Sequence, residues 1–528
     1  MNLFTKRTSL VLIICTAYVS TISCQMEKEN FDVKWSKKIR LTPFFESGKV
    51  IMADDNYIYY LFGSKNGKPI SGIPTIYETI VKYDRKKNDF ATLKLKLSTG
   101  KEERIRLNVV AVDSLIHVVS YSNDKNKKVV SVYDDTVSPI TLKFRNDSHK
   151  ISEISYDGKE YKNPERIRID FKNDNFARKK YMQLLTIFVY KNEDVYHYEA
   201  FDNHFESKVK YKKNLSINSR GSDFVFDKDF NLYTIERICP IGSNYDFVSS
   251  KFTISCHPKD GSQIIRKELS IENKSFPGVS IDVNNNNQLV CAGVYSNKNT
   301  NGQTGVFSIL YEAKLQGAGA MQKTDFDLET LIKGLSKKNG DKILKKISAG
   351  KEYDDFYDNH MHPLHFRKDG GFDVIVEKRN SILMGKVSDY NYGDVYFLSF
   401  NANGSIKWIQ KSARDQIVGE NLISGAIHFL TESFFEYGEN DEINMIYKLV
   451  DSSNLFQPIK NLTFIYSIDT NGKASEKLLQ NDDNKSLLFI FPAFSYGCGK
   501  NTYIVVKGDY MEHLTAMSFV IGELKVKN

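Results

Sequence analysis

Residues 353–366 read YDDFYDNHMHPLHF and carry three of the ten histidines within six positions. His360, His362 and His365 stand beside Asp354, Asp355 and Asp358. Imidazole nitrogen and carboxylate oxygen are the donors that zinc and other divalent transition metals take. On an extended segment side chains alternate, so His360 and His362 share a face, while Pro363 redirects the chain before His365. The metal reading therefore names His360, His362, His365 and Asp358, and a divalent ion is the one cofactor it invokes. The competing reading is a polar crossing loop whose histidines cap turns and hydrogen-bond. The spacing is not that of a zincin helix, because no HExxH occurs.

Two glutamates make a second set. Glu236 ends the apolar run NLYTIE and Glu377 ends GFDVIVE. Carboxylates brought together from two strands could serve glycoside cleavage, which needs a pair about 5–10 Å apart. Otherwise each belongs to a salt bridge, with Arg237 or Lys378 nearby. Gly317-Ala318-Gly319 lacks the strand–helix setting of a dinucleotide site, and neither GxSxG nor a P-loop is present. Tyr390, Tyr392, Phe435 and Tyr437 could stack on sugars, but the chain is 12% aromatic throughout. Cys498, between two glycines, is either an exposed thiol or a buried turn residue. Cys239 and Cys256 end NLYTIERIC and FVSSKFTISC, two successive strands. They are either a disulfide, contributing ~3 kcal/mol, or two separate buried thiols.

The amino terminus reads as an export signal. Lys6 and Arg7 precede an apolar run, 10–19, that ends at Thr21-Ile22-Ser23-Cys24. The run is shorter than the ~20 residues of a membrane-spanning helix. Cys24 after Ser23 matches a bacterial lipobox, with Thr21 where Leu is usual, so the sequence predicts a lipid-modified Cys24. The expected location is the outer membrane, on its periplasmic or surface face, held through the lipid anchor alone, with simple secretion as the alternative. Residues 25–30 read as a tether. The net charge of +8 is spread over interspersed acids and bases, and the basic runs 208–213 and 337–346 are interrupted. That pattern is a solvated face and argues against a nucleic-acid partner.

What positions these residues is a recurring unit. A turn rich in Asp, Asn or Gly leads into an apolar strand, as in ADDNYIYYLFG, AVDSLIHVVSYS, FDKDFNLYTIERI, DVNNNNQLVCAGVYS and RKDGGFDVIVEK. A strand–turn–strand follows, as in DVYFLSFNANGSIKWIQKS, TFIYSIDTNGKASEKLL and FTISCHPKDGSQIIRKEL. First hairpins fall near residues 55, 113, 192, 229, 285, 369, 440 and 498, the third being irregular. Units of four antiparallel strands repeated in this way predict an all-β propeller of seven or eight blades, folded as one domain over 31–528.

The pair FDVKWSKKI (31–39) and GSIKWIQKS (404–412) adds closure. The second is a fourth strand, so the first is a fourth strand without its first three, while 513–528 ends as a third. The N-terminal strand is therefore predicted to complete the last blade and to remove an exposed sheet edge. Val33 with Trp35, and Ile406 with Trp408, are expected on one face, with Lys34 and Lys407 on the other. TDFDLETLIKGLSKK (324–338) breaks the pattern. Leu328, Leu331, Ile332 and Leu335 have helical spacing, Thr324 or Asp325 is placed to cap, and a further helical turn or two follows over 341–348. A small helical insertion at about 320–350, packed on the propeller rim, is the prediction.

The lipobox, the DG and DGG turns leading into apolar strands that end in Glu, and the G-x-I-x-W hairpin resemble a group of uncharacterised exported β-propeller lipoproteins of Gram-negative bacteria. The matching stretches are KDGGFDVIVE, the helix at 324–338 and the hairpin over 394–411. The resemblance implies a propeller in the envelope and carries no catalytic residues over. The function expected is a non-catalytic binding or scaffold module for a protein or glycan of the cell envelope. The alternatives are a polysaccharide hydrolase or lyase with its site at the propeller axis, and a structural subunit of an envelope complex.

Overall fold

The computed structural model describes residues 31–526 apart from 37–38, 41–44, 66–75, 96–103, 146–147, 157–166, 173–180, 191–192, 217–218, 239–250, 298–303, 318, 334–336, 349–357, 385–386, 415, 420–432, 451–460, 480–487, 498–501 and 510–517. Residues 1–30, read above as signal, Cys24 and tether, lie outside them, as do Cys239, Asp354, Asp355 and Cys498.

The alternation of apolar and polar residues resolves into eight antiparallel sheets, the blades of a β-propeller. Blade 1 spans 45–95, blade 2 spans 105–155, and blade 3 spans 167–216. Blades 4, 5, 6 and 7 span 219–269, 274–325, 358–419 and 434–478. Blade 8 joins Leu488–Gly497, Thr502–Asp509 and Ser518–Val526 to the N-terminal strand Phe31–Trp35. Blades 2 to 5 and most of blade 6 belong to one compact unit (96–380 and 392–415). Blades 1, 7 and 8, with 381–391 and 416–419, belong to a second.

The closing strand pairs as its sequence predicts. Phe31 lies opposite Val526, Val33 opposite Leu524 and Trp35 opposite Gly522, without a register shift. Ser36 extends the join: its amide donates to the Ile521 carbonyl at 2.7 Å, and its hydroxyl accepts from the Ile521 amide at 2.9 Å. The matching strand of blade 6 behaves differently. Its register slips at Lys407, so Ile406 opposes Phe400 while Trp408 opposes Ser399. Ile406 therefore shares the face of the blade 5–blade 6 core and Trp408 takes the other, against the expectation of a common face.

The turns share one geometry. At seven places among the described residues, 202–206, 227–231, 284–288, 367–371, 401–405, 438–442 and 469–473, the first amide of five donates to the fifth carbonyl. The fourth amide donates to the first carbonyl, and the fourth residue has positive φ. These are three-residue hairpin loops, a type I turn followed by a left-handed residue. Asp202, Asp227, Asn284 and Asp469 hold theirs from the first position, each side chain accepting from the amides two and four residues on. The hairpin near 192 is the second turn of its blade, because Ile167–Lys172 precedes it as the first strand.

Cores form between neighbouring blades because both faces of the inner strands are apolar. In Leu289–Asn297, Leu289, Cys291 and Tyr295 pack toward blade 4, and Val290, Ala292 and Val294 toward blade 6. The insertion carries two helices, α1 (Leu328–Ile332) and α2 (Lys337–Ser348). Thr324 and Asp325 are used by the strand Ala320–Asp325, so the cap is Asp327, whose carboxylate accepts from the Thr330 amide at 2.6 Å. Leu331 packs on the blade 5–blade 6 core, and Lys411 donates to the Leu331 carbonyl at 2.8 Å.

Candidate functional site

The histidines enter blade 6 through its first strand. Asp358–Met361 pairs with Phe372–Met384 so that His360 lies opposite Glu377 and Asp358 opposite Arg379. His362 follows on the same face, and its ring meets that of His360 edge-on at 4.9 Å. Its Nε2 stands 3.5 Å from a Glu377 oxygen. His365 is elsewhere: it opposes Asp373, four residues from Glu377, or about 13 Å along the strand. Pro363 separates it as the sequence suggests. The side chains of Asp354, Asp355 and Asp358 lie outside the described residues. Among the described residues no three His, Cys, Asp or Glu side chains converge on a common ion position.

Glu377 is the centre of a buried ion cluster. Its side chain is 0% exposed, as is that of Arg414, whose guanidinium donates to one carboxylate oxygen at 2.6 Å. Arg379 grips the other oxygen at 2.6 and 2.8 Å. Arg414 is in turn positioned by its amide, which donates to Asp394 at 3.1 Å, while Lys411 pairs with Asp394 at 2.8 Å. Burial by itself would raise the Glu377 carboxyl. His362, Arg414 and Arg379 outweigh it and hold the carboxyl far below the usual carboxylate range. A group so placed is an anion at every physiological pH and has no proton to give.

Glu236, in blade 4, is also held in an ion pair. Lys213 forms an ion pair with it, and the hydroxyls of Thr234 and Ser255 donate to the same oxygen at 3.3 and 3.4 Å. Lys213 also meets His257 Nε2 at 3.3 Å. Burial, with Lys213 and Arg266 nearby, pushes His257 down to about 4. The predicted neighbours Arg237 and Lys378 are not the partners found; Lys213, Arg379 and Arg414 are. Only Arg379 had a local signal, two residues after Glu377.

Cys256 is a buried free thiol. Its backbone lies opposite Tyr233, and the sequence-predicted partner Cys239 lies outside the described residues. Sequence reading also missed Arg367, 4% exposed, which ties the 367–371 turn into the blade. It forms an ion pair with Asp373 and donates to Ser399 Oγ at 2.6 Å and to the Phe400 carbonyl at 2.7 Å. Its signal was a lone arginine ahead of DGG.

No family model matches the chain. No curated protein matches it either. Solved structures similar to it include the WD40 domain of SCAP from fission yeast, at 10% identity over 94% of this chain and 96% of that one, with a TM-score of 0.39. The β-propeller domain of the Trilobed protease from Pyrococcus furiosus is 11% identical over 84% and 98%, with a TM-score of 0.34. The polysaccharide lyase Uly1 is 10% identical over 92% and 99%, also with a TM-score of 0.34.

Proposed function

We propose that this chain is a non-catalytic binding or scaffold propeller that engages a protein or glycan of the cell envelope and is tethered there through a lipid on Cys24. The observation that supports the binding half is the state of the two candidate acids. Glu377 is locked by Arg379 and Arg414 within blade 6, and Glu236 by Lys213 across blades 3 and 4, so each carboxylate is committed to a structural ion pair. General acid catalysis needs a carboxyl raised toward the working pH, and Glu377 is displaced the opposite way. Packed blades whose connecting loops vary independently of the core suit recognition. The envelope half is supported by the basic, apolar and lipobox segments of the first 24 residues.

The test is crosslinking of the full-length protein in its native envelope, followed by identification of what is captured. Incubation of the purified chain with neutral and acidic polysaccharides runs beside it. Reproducible capture of one protein or glycan without new reducing or unsaturated ends is the expected result. Chain cleavage that is abolished by Glu377→Gln or Glu236→Gln would favour the hydrolase or lyase reading. Cys24→Ala should move the protein from the membrane to the soluble fraction, and retention at the membrane would remove the anchor.

A further inference from the structure

Blades 2 and 3 form an open cavity of about 180 Å³ that neither candidate acid touches. Its wall follows from strand alternation. Glu193, Val195 and His197 lie at alternate positions of one strand, and Lys212 and Asn214 at alternate positions of its partner, with His197 opposite Lys212 and Val195 opposite Asn214. All five therefore share the face turned to blade 2, from which Ser155 and Tyr156 complete the lining, with Tyr190 at the rim. Val195 is buried and makes the floor.

The aromatic part is held by contacts within the two blades. Phe188, fully buried, stacks on Tyr156 at 5.1 Å and meets His197 edge-on at 5.4 Å. The Tyr156 hydroxyl is bonded to Asn123 at 3.0 Å, and the Tyr190 amide donates to the Glu193 carbonyl at 2.9 Å. The polar part is a donor beside an acceptor: Asn214 Nδ2 donates to Glu193 Oε2 at 3.0 Å. The charge is supplied by Lys212. Along its strand Lys208 pairs with Asp202 and Glu206, and Lys210 pairs with Glu199. Lys212 forms no salt bridge among the described residues and stands exposed at the mouth.

We propose that this cavity binds one pyranose ring carrying an acidic group, a uronate unit of a glycan; the inference rests on the glycan side of the function proposed above. The volume is below the ~300–1,000 Å³ of pockets for drug-sized ligands and matches a single ring. Tyrosine faces take the C–H face of a sugar, the Asn214–Glu193 pair takes neighbouring hydroxyls as donor and acceptor, and Lys212 takes the carboxylate. Burial, with Lys212 and Lys210 close by, pushes His197 down to about 4, so its ring is neutral at pH 7 and does not compete with Lys212 for the anion.

The experiment is calorimetric titration of the full chain with a glucuronate-containing, a galacturonate-containing and a neutral glucose tetrasaccharide. At least one uronate probe should bind, more tightly at low salt, with the neutral probe at least about ten-fold weaker. Lys212→Ala should weaken uronate binding about ten-fold or more, and Lys212→Arg should keep it. Asn214→Ala should weaken all ring recognition. Lys212 and Asn214 are exposed, so unchanged melting temperatures verify that these variants fold. Uronate binding that survives both alanine variants overturns this site while leaving glycan recognition standing. Equal affinity for the neutral probe overturns the acidic class. No binding of either uronate probe overturns the assignment, and a captured protein partner would then carry the function instead.

Discussion

Glu377 shows how a residue suited to chemistry is absorbed by structure. A carboxylate taken out of water costs several kcal/mol unless hydrogen-bonded cations meet it, and Arg379 and Arg414 do so on both oxygens. Removing one cation leaves an uncompensated buried charge. Arg414→Met should therefore destabilise the protein by roughly 3–5 kcal/mol, read as a lower urea midpoint. The pH dependence has a definite sign. The Glu377 carboxyl is depressed in the folded state, so its contribution is full above the unfolded value near 4.3 and is lost as pH falls through the lower folded value. His257 acts in the same direction through a different route. Its folded value of about 4 lies below the unfolded ~6.5, so the unfolded chain takes up the proton first and stability falls between those limits. Melting temperatures across pH 7 to 3 should decline in two stages, and Glu377→Gln should flatten the more acidic one. An undiminished lower stage in that variant would count against the cluster.

The repeated element is the five-residue turn, and its fourth residue decides the cost. Gly370, Gly404 and Gly472 occupy the left-handed position with φ of 84°, 84° and 83°. Gly404 is also pressed on blade 5: its carbonyl accepts from Ser308 Oγ at 2.6 Å, and a Cβ there would lie 2.7 Å from Leu310 Cδ1. Gly404→Ala should cost about 1–2 kcal/mol for the dihedral alone, and more for the clash. Gly370→Ala, at the same φ of 84° and with its nearest neighbour, Ala402 Cβ, 3.4 Å from the added Cβ, should cost the dihedral alone, so the contrast in melting temperature isolates the docking. Asn-Gly and Asp-Gly turns were legible in the sequence. Phe205 and Phe230 in the same left-handed position were not, because an aromatic there is disfavoured locally and is held by packing. Phe205, 2% exposed, stacks on His117 at 4.5 Å.

At the scale of the molecule, blade 8 is assembled from strands almost 500 residues apart in the chain, since Phe31 opposes Val526. Arg85 of blade 1 adds a salt bridge to Glu523 of blade 8 at 2.8 Å. Deleting residues 31–40 removes both segments that pair with Ser518–Val526, Phe31–Trp35 and Ile39–Arg40, and opens that edge to solvent. Amides of that strand should then exchange hydrogen much faster and the protein should self-associate. A peptide spanning 31–40, added in trans, should restore protection. Unchanged exchange after deletion would show that closure contributes nothing.

The sequence by itself determined a propeller of seven or eight four-stranded blades, the strand that finishes the last one and the helical insertion; the structure set the number at eight. These depend on period-two alternation, turn chemistry and one repeated tryptophan motif, all of which act within a few residues. The tertiary structure decided what local patterns do not encode. It gave Glu377 a partner 37 residues away in Arg414 and turned Trp408 from the face of Ile406 through one slipped register. It also set Cys256 opposite Tyr233 and gathered Tyr156 with Lys212 around one cavity. The physical reason is that ion pairing, packing and pocket shape are settled between strands and between blades, where separation along the chain carries no information about distance in space.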